Sequence, residues 1–150
     1  MKRKLRNIGA AALLACVAGL GGTAASAEPP AGPQCADIQW NAELLKSFPR
    51  AAVVCQEVVV RNGKKYARFT AKVTAVEPKV VTVRFLTPAG NEERELSLRP
   101  GADSRVEMKG KKVEYSTLHK GDVLTFWVPE RQLGVISDPD DTAASTILLD

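Results

Sequence analysis

A single histidine, His119, occurs in the chain of 150 residues. With Ser116 and Asp122 three residues to either side, it supplies the residue types of a nucleophile, a base and an orienting acid. Triads converge from separate elements, however, whereas these three residues sit around one turn, so the spacing reads as a surface turn. A second chemistry is open to the carboxylates: Glu114 or Asp122 beside Tyr115 would serve a hydrolase or transferase if paired acids met in a pocket. The chain has no G-x-S-x-G, H-E-x-x-H or C-x-x-C motif. The Gly-Lys steps in "NGKK" at 62–65 and "KGKK" at 109–112 lack the spacing of a phosphate-cradling loop and read as hairpin turns with solvated lysines. Asp138, Asp140 and Asp141 lack the glycine and distal glutamate of a calcium loop. No catalytic residue, metal ligand or cofactor is assigned, and the reading leans away from an enzyme.

Charge carries more functional content. Seven basic residues lie between Arg61 and Arg84, opposed only by Glu77, while six acidic residues from Asp122 to Asp150 are opposed only by Arg131. Tyr66, Arg68, Lys72, Arg84 and Trp127 form a candidate binding face for an anionic envelope polymer, a lipid headgroup or another envelope protein. The alternatives are a solvated face whose charges block edge pairing, and a basic face screened by the acidic tail. Nucleic acid is excluded as a partner by the charge balance. The net charge of +4 includes Lys2, Arg3, Lys4 and Arg6; removal of residues 1–27 takes those four and no acid, leaving 17 residues of each sign. The oligomeric state is not legible.

That removal is expected because the charged start, the apolar run Ile8–Leu20 and the small residues ending Ala25-Ser26-Ala27 have the form of a signal peptide. Cleavage after Ala27 gives a periplasmic or secreted protein. The alternative is lipidation at Cys16, from Leu13-Leu14-Ala15-Cys16, which would leave a membrane-anchored lipoprotein. After cleavage at Ala27 only Cys35 and Cys55 remain, and an exported chain with two cysteines is expected to join them.

The elements that would position these groups follow from periodicity. Residues 28–36 read as a linker. Asp37 is expected to cap a helix with Trp40, Leu44 and Phe48 on one stripe, stopped by Pro49. From Ala51 the period becomes two. A strand from Ala51 to Arg61 turns at Asn62-Gly63, a pair suited to a type I′ hairpin, into a long strand from Lys64 to Val76. One face of that strand carries Ala67, Phe69, Ala71, Val73 and Ala75. Further strands are expected over 80–86, 92–98, 105–108 and 112–115. A last one carries Leu124, Phe126 and Val128 on one side, and Val123, Thr125 and Trp127 on the other. The helix stripe needs a surface and the Trp127 side needs a cover, so the helix is expected to lie there; a ligand or a second chain are the alternatives. Residues 131–150 form an acidic tail, mobile over 137–146, whose end at Ile147-Leu148-Leu149 either docks or stays loose.

The order V-T-A-V (73–76), V-V-T-V-R-F (80–85), G-K-K-V (110–113) and L-H-K-G-D-V-L (118–124) resembles small β-barrel modules of OB- or SH3-like type in exported bacterial proteins. The resemblance covers roughly residues 67–128 and implies a fold rather than an activity. The expected architecture is a mainly β domain over 37–130, an antiparallel barrel or sandwich with one short N-terminal helix. The expected role is a non-enzymatic binding or accessory module of the envelope, with a carboxylate enzyme or a structural protein acting through chain–chain contacts as alternatives.

Overall fold

The computed structural model describes residues 32–140 and the backbone of Leu148–Leu149. The leader at 1–27, the Cys16 site, residues 28–31 of the linker and residues 141–147 lie outside the described residues. The protein is mainly β, as the two-residue period predicts. Its strands are β1 (Cys55–Arg61), β2 (Lys64–Val76), β3 (Val81–Leu86), β4 (Glu92–Arg99), β5 (Arg105–Met108), β6 (Lys111–Glu114), β7 (Val123–Pro129) and β8 (Leu148–Leu149). All pair antiparallel in one sheet, in the order β6-β5-β7-β2-β3-β4-β8, with β1 also on β2. The pairings do not close into a ring; β6 and β8 end the ladder.

Strand β2 organises this sheet. One edge pairs with β7 over Tyr66–Lys72. The other edge takes two strands end to end, β1 over Lys64–Phe69 and β3 over Thr70–Val76. Gln56 closes the joint, its Nε2 donating to the Leu86 carbonyl at 2.9 Å. Asn62 and Gly63 hold φ of 51° and 74°, the type I′ geometry that lets β1 return as β2, and Lys109 and Gly110 repeat it at 51° and 76° between β5 and β6.

Alternation places Ala67, Phe69, Ala71 and Val73 on the buried face of β2, all fully enclosed. Ala75 departs from the expected face. A bulge between Val73 and Ala75 in the β2–β3 pairing shifts the register, and Ala75 is exposed. Small alanines flanking Phe69 leave room for aromatic rings. Phe48 stacks on Phe85 at 5.1 Å between centroids, and Phe69 meets Phe85 edge-on at 5.5 Å. Trp40 lies 5.8 Å from Phe69.

The N-terminal helix starts later than expected. Asp37 ends a single 3-10 turn, Cys35–Asp37, and its Oδ2 accepts from the Gln34 amide at 2.8 Å. The helix α1 (Ala42–Ser47) is capped by Asn41, whose Oδ1 accepts from the Glu43 and Leu44 amides at 2.8 and 3.2 Å. Pro49 stops it as predicted. The expected strand start at Ala51 is also corrected: Ala51–Val54 is a further helical turn, α2. Ala51 and Val54, three apart, face inward and Val53 faces out, the spacing of a helix rather than a strand.

The predicted Cys35–Cys55 disulfide is present, with Cα atoms 5.9 Å apart. It ties the 3-10 turn to the start of β1. A polar latch fastens the same segment elsewhere. The Arg131 amide donates to the Gln39 carbonyl at 2.9 Å, and its Nε to Gln39 Oε1 at 2.7 Å. Asn41 Nδ2 returns a bond to the Arg131 carbonyl at 3.1 Å. Arg131 holds φ of 62° to do so.

The helix stripe therefore covers the Phe69, Phe85 and Phe126 face, not the Trp127 side. The expected cover is corrected, because Leu44 and Phe48 bury more apolar surface against the rings of Phe69, Phe85 and Phe126 than against Val123 and Thr125. Trp127 instead exchanges both backbone hydrogen bonds with Ile136, at 2.9 and 2.7 Å. Residues 131–140, the start of the segment read as a tail, thus pack on the sheet, with Val135 and Ser137 buried. Leu148–Leu149 pairs with Leu98 and Arg99 at the end of β4.

Replacing Phe48 by Ala is expected to cost about 3–5 kcal/mol in urea unfolding, since the ring is fully buried between three elements. Replacing both cysteines by Ala should cost about 3 kcal/mol by the chain-entropy model for a 20-residue separation. A Phe48→Ala cost below about 1 kcal/mol would contradict the packing.

Candidate functional site

The five residues of the sequence-derived face lie together by register. In β2, Arg68 is opposite Glu57 of β1 and Trp127 of β7, Tyr66 is opposite Val59 and Pro129, and Lys72 is opposite Arg84 of β3. This is the outer face of the sheet. Its charges are locally matched. Lys72 Nζ is 3.0 Å from Glu92, and Arg84 reaches Glu92 and Glu95 at 3.1 and 3.2 Å. Arg68 Nε lies 3.2 Å from Glu57 but off the N–H direction, an ionic contact without a directed hydrogen bond. The Lys72 ammonium and then the Arg84 guanidinium hold the Glu92 carboxyl below its ordinary range, and Glu92 and Glu95 raise the Arg84 guanidinium in turn. Charge segregated along the sequence is interleaved in space, because the acidic strand β4 lies beside β3.

The other groups singled out by type serve as turn and latch contacts. Asp122 Oδ2 accepts from the His119 amide at 2.8 Å, and its carbonyl accepts from the Val73 amide at 2.8 Å. Ser116 Oγ is 3.5 Å from Glu114 rather than beside His119. Asp138 lies 2.7 Å from Lys112 Nζ, and Asp140 2.6 Å from Arg61. Asp141 lies outside the described residues. Among the described residues no group of three or more His, Cys, Asp or Glu is placed to hold a metal ion.

A different place emerges at one end of the sheet. The turn between β2 and β3, the loop between β4 and β5, and the 3-10 turn Tyr115–Thr117 after β6 surround an open cleft of about 920 Å³. Val76, Pro78, Val81 and Pro100 give it apolar walls. Ser104 and Tyr115 line it with only 5% and 7% of their surfaces exposed, and their hydroxyls, closed off from solvent, have no hydrogen-bond partner among the described residues. Burial pushes the Tyr115 phenol well above the usual tyrosine range, so it stays a neutral donor at any physiological pH. A buried unpaired hydroxyl costs about 1–3 kcal/mol.

The cleft also gathers ionic side chains. Glu77, Lys79, Arg99, Asp103, Arg105 and Glu114 line it; Arg105 is directly opposite Glu114 in the β5–β6 register, and apart from Arg99 none of them forms an ion pair within 4 Å among the described residues. Glu114 and Tyr115, weighed from sequence as carboxylate and neighbour, both belong to this cleft; Asp122 does not. Ser104 was invisible to sequence reasoning. The signal available was topological: strands alternating in direction bring the Pro78 turn and the Pro100-Gly101 loop to the same end.

Compared with known protein families, curated proteins and solved structures, the chain matches none.

In the free protein, Ser104→Ala and Tyr115→Phe should each raise stability by about 1 kcal/mol, because each removes a buried hydroxyl that makes no bond. Loss of stability of that size in thermal unfolding would show that the hydroxyls are already paired. A second expectation concerns pH. The hydrogen bond from Lys112 holds the Asp138 carboxyl below its ordinary range. The folded value being the lower, the contact contributes fully above the unfolded carboxylate value of about 4 and is lost as pH falls through the depressed value. The Asp138 carboxyl carbon should therefore titrate low by NMR and move up in Lys112→Met; identical titrations in the two proteins would refute the contact.

Proposed function

We propose that the protein is an exported, non-enzymatic binding module of a bacterial envelope that holds its ligand in the cleft at the end of the sheet. The open cleft itself, with apolar walls and ionic side chains of both signs brought in from separate chain segments, carries this reading. The cleft volume falls within the range of about 300–1,000 Å³ typical of small-molecule sites. Export is supported by the leader pattern at 1–27 and by the Cys35–Cys55 disulfide, which is compatible with an oxidising compartment. No helix among the described residues is long and apolar enough to cross a membrane. The outer face of Tyr66, Arg68, Lys72, Arg84 and Trp127 is the weaker candidate for an anionic polymer or headgroup, since three of its cations already face carboxylates.

One observation favours a second reading. Three carboxylates without an ion pair among the described residues, Glu77, Asp103 and Glu114, line the same cleft, as a hydrolase or transferase with paired acids would need. The two readings part on the fate of the ligand. Isotopically labelled protein (residues 28–150) is mixed with a low-molecular-weight envelope extract, amide shifts are mapped, and the bound compound is recovered for mass analysis. Shifts confined to the cleft with an unchanged compound are expected. Shifts on the Tyr66–Trp127 face would overturn the cleft assignment, and a compound recovered altered would favour the enzyme.

A further inference from the structure

We infer that the free edge of β1 joins two copies of this chain, the strands pairing antiparallel about Val59 so that Glu57 of each copy faces Arg61 of the other. No β1 residue lines the cleft, and neither reading depends on the other.

Strand β1 bonds to β2 along one edge, and among the described residues no strand pairs with its other edge. The type I′ turn makes Arg61 and Lys64 a hydrogen-bonded pair, and bonding then alternates along the hairpin. Glu57 and Val59 therefore bond to β2, while Val58 and Val60 turn their amides and carbonyls away from it. Lys65, opposite Val60, fixes the phase: its carbonyl points away from β1 and accepts from the Glu130 amide at 2.9 Å. The outward Val60 carbonyl accepts from Arg61 Nη1 at 3.1 Å, a side chain standing where a strand would bond.

The other edges are defended. β6 carries Lys111, Lys112 and Glu114 among its four residues, and the end of β4 takes β8. β1 presents three consecutive valines with neither proline nor charge among them, and Val60 is 44% exposed. Such an edge is a template for another strand.

Charge selects both the occupant and the register. Run antiparallel to itself, Glu57-Val58-Val59-Val60-Arg61 is self-complementary. With the two-fold axis at Val59, Val58 meets Val60 of the second copy and the outward groups of both are used. Glu57 and Arg61 then stand opposite each other in the non-hydrogen-bonded pairs, where side chains come closest. An axis at Val58 would set Glu57 against Val59, and one at Val60 would set Arg61 against Val59, losing the ion pairs. Both charged side chains are exposed and have capacity left: Glu57 makes its undirected contact with Arg68, and Arg61 uses Nε on Asp140. Within its own hairpin Arg61 faces the like charge of Lys64, which a carboxylate on its free side offsets. One short strand makes a small interface, so dissociation is expected between tens of micromolar and about a millimolar.

The test uses residues 28–150 with the disulfide intact. Sedimentation velocity across that range should show a monomer–dimer equilibrium. Amide hydrogen exchange should slow at Val58 and Val60 as the protein is concentrated, and stay constant at Val59, which already bonds to β2. Glu57→Arg and Arg61→Glu should each weaken the dimer by about tenfold or more. An equimolar mixture of the two variants should restore it, since opposite charges then meet at both positions; variants that had lost their fold would not recover on mixing. A chain monomeric at about a millimolar overturns the inference, as does a dimer whose Val58 and Val60 amides exchange freely. Variants that dimerise as strongly as the parent, or a mixture no stronger than its components, overturn the pairing about Val59. Slowed exchange at Val58 and Val60 caused by an envelope polypeptide, with the chain itself monomeric, would assign the edge to another protein and overturn the second copy as its occupant.

Discussion

The packing of Phe48 onto Phe69 and Phe85 is the contact on which the rest of this fold depends. A single antiparallel sheet of this size has two faces, and only one can be covered by its own strands' inward side chains. The two short helices, α1 and α2, supply the cover. They are too short to be stable alone, and their order comes from burial and from covalent and polar ties rather than helix propensity. The disulfide fixes the 3-10 turn before them to β1, the Arg131 latch fixes Gln39 and Asn41, and Arg94 Nη1 donates to the Ser47 carbonyl at 2.9 Å where α1 ends. Three independent ties at different points of one segment leave its aromatic residues little choice of face.

Once the helices occupy the inner face, the functional geography follows. The outer face is left to neutralise itself, which it does through cross-strand pairs that a solvent-exposed surface makes cheaply and that are worth little individually. Among the described residues, β8 pairs at Leu98–Arg99 beside the end of the sheet where the β2–β3 turn and the β4–β5 loop meet, and α1 and α2 do not cover that end. Its apolar residues and its two enclosed hydroxyls form the open cleft there.

Much of this architecture is legible in the sequence. The Asn62-Gly63 pair and the alternation after it gave β2 its limits, because a type I′ turn and a half-buried strand each have few ways to be built. Cys35 and Cys55 paired as expected. The failures have physical causes. Asp37 and Asn41 are both good caps, but Asp37 is taken up by the local Gln34 amide in a 3-10 turn, and the long-range contact of Asn41 with Arg131 goes with the helix that starts there. Ala51–Val54 has strand-like composition, yet Pro49 and the need to bury Ala51 and Val54 together wind it into a turn. Ala75 fell to a bulge that no side-chain pattern announces. The charge runs misled because spacing along the chain says nothing of which strand lies beside which, and β4 brought Glu92 and Glu95 to the basic strands. Ser104 was hidden for the reverse reason: a single serine in a turn acquires meaning only when burial strips it of water.

The central claim, that the N-terminal helices cover the inner aromatic face and so leave the outer face and the end cleft free, is tested most directly by nuclear Overhauser contacts in the oxidised protein. Cross-peaks from the Phe48 ring to Phe69 and Phe85, and from Trp40 to Phe69, are predicted. Cross-peaks from Leu44 or Phe48 to Val123 and Trp127 in their place would contradict it.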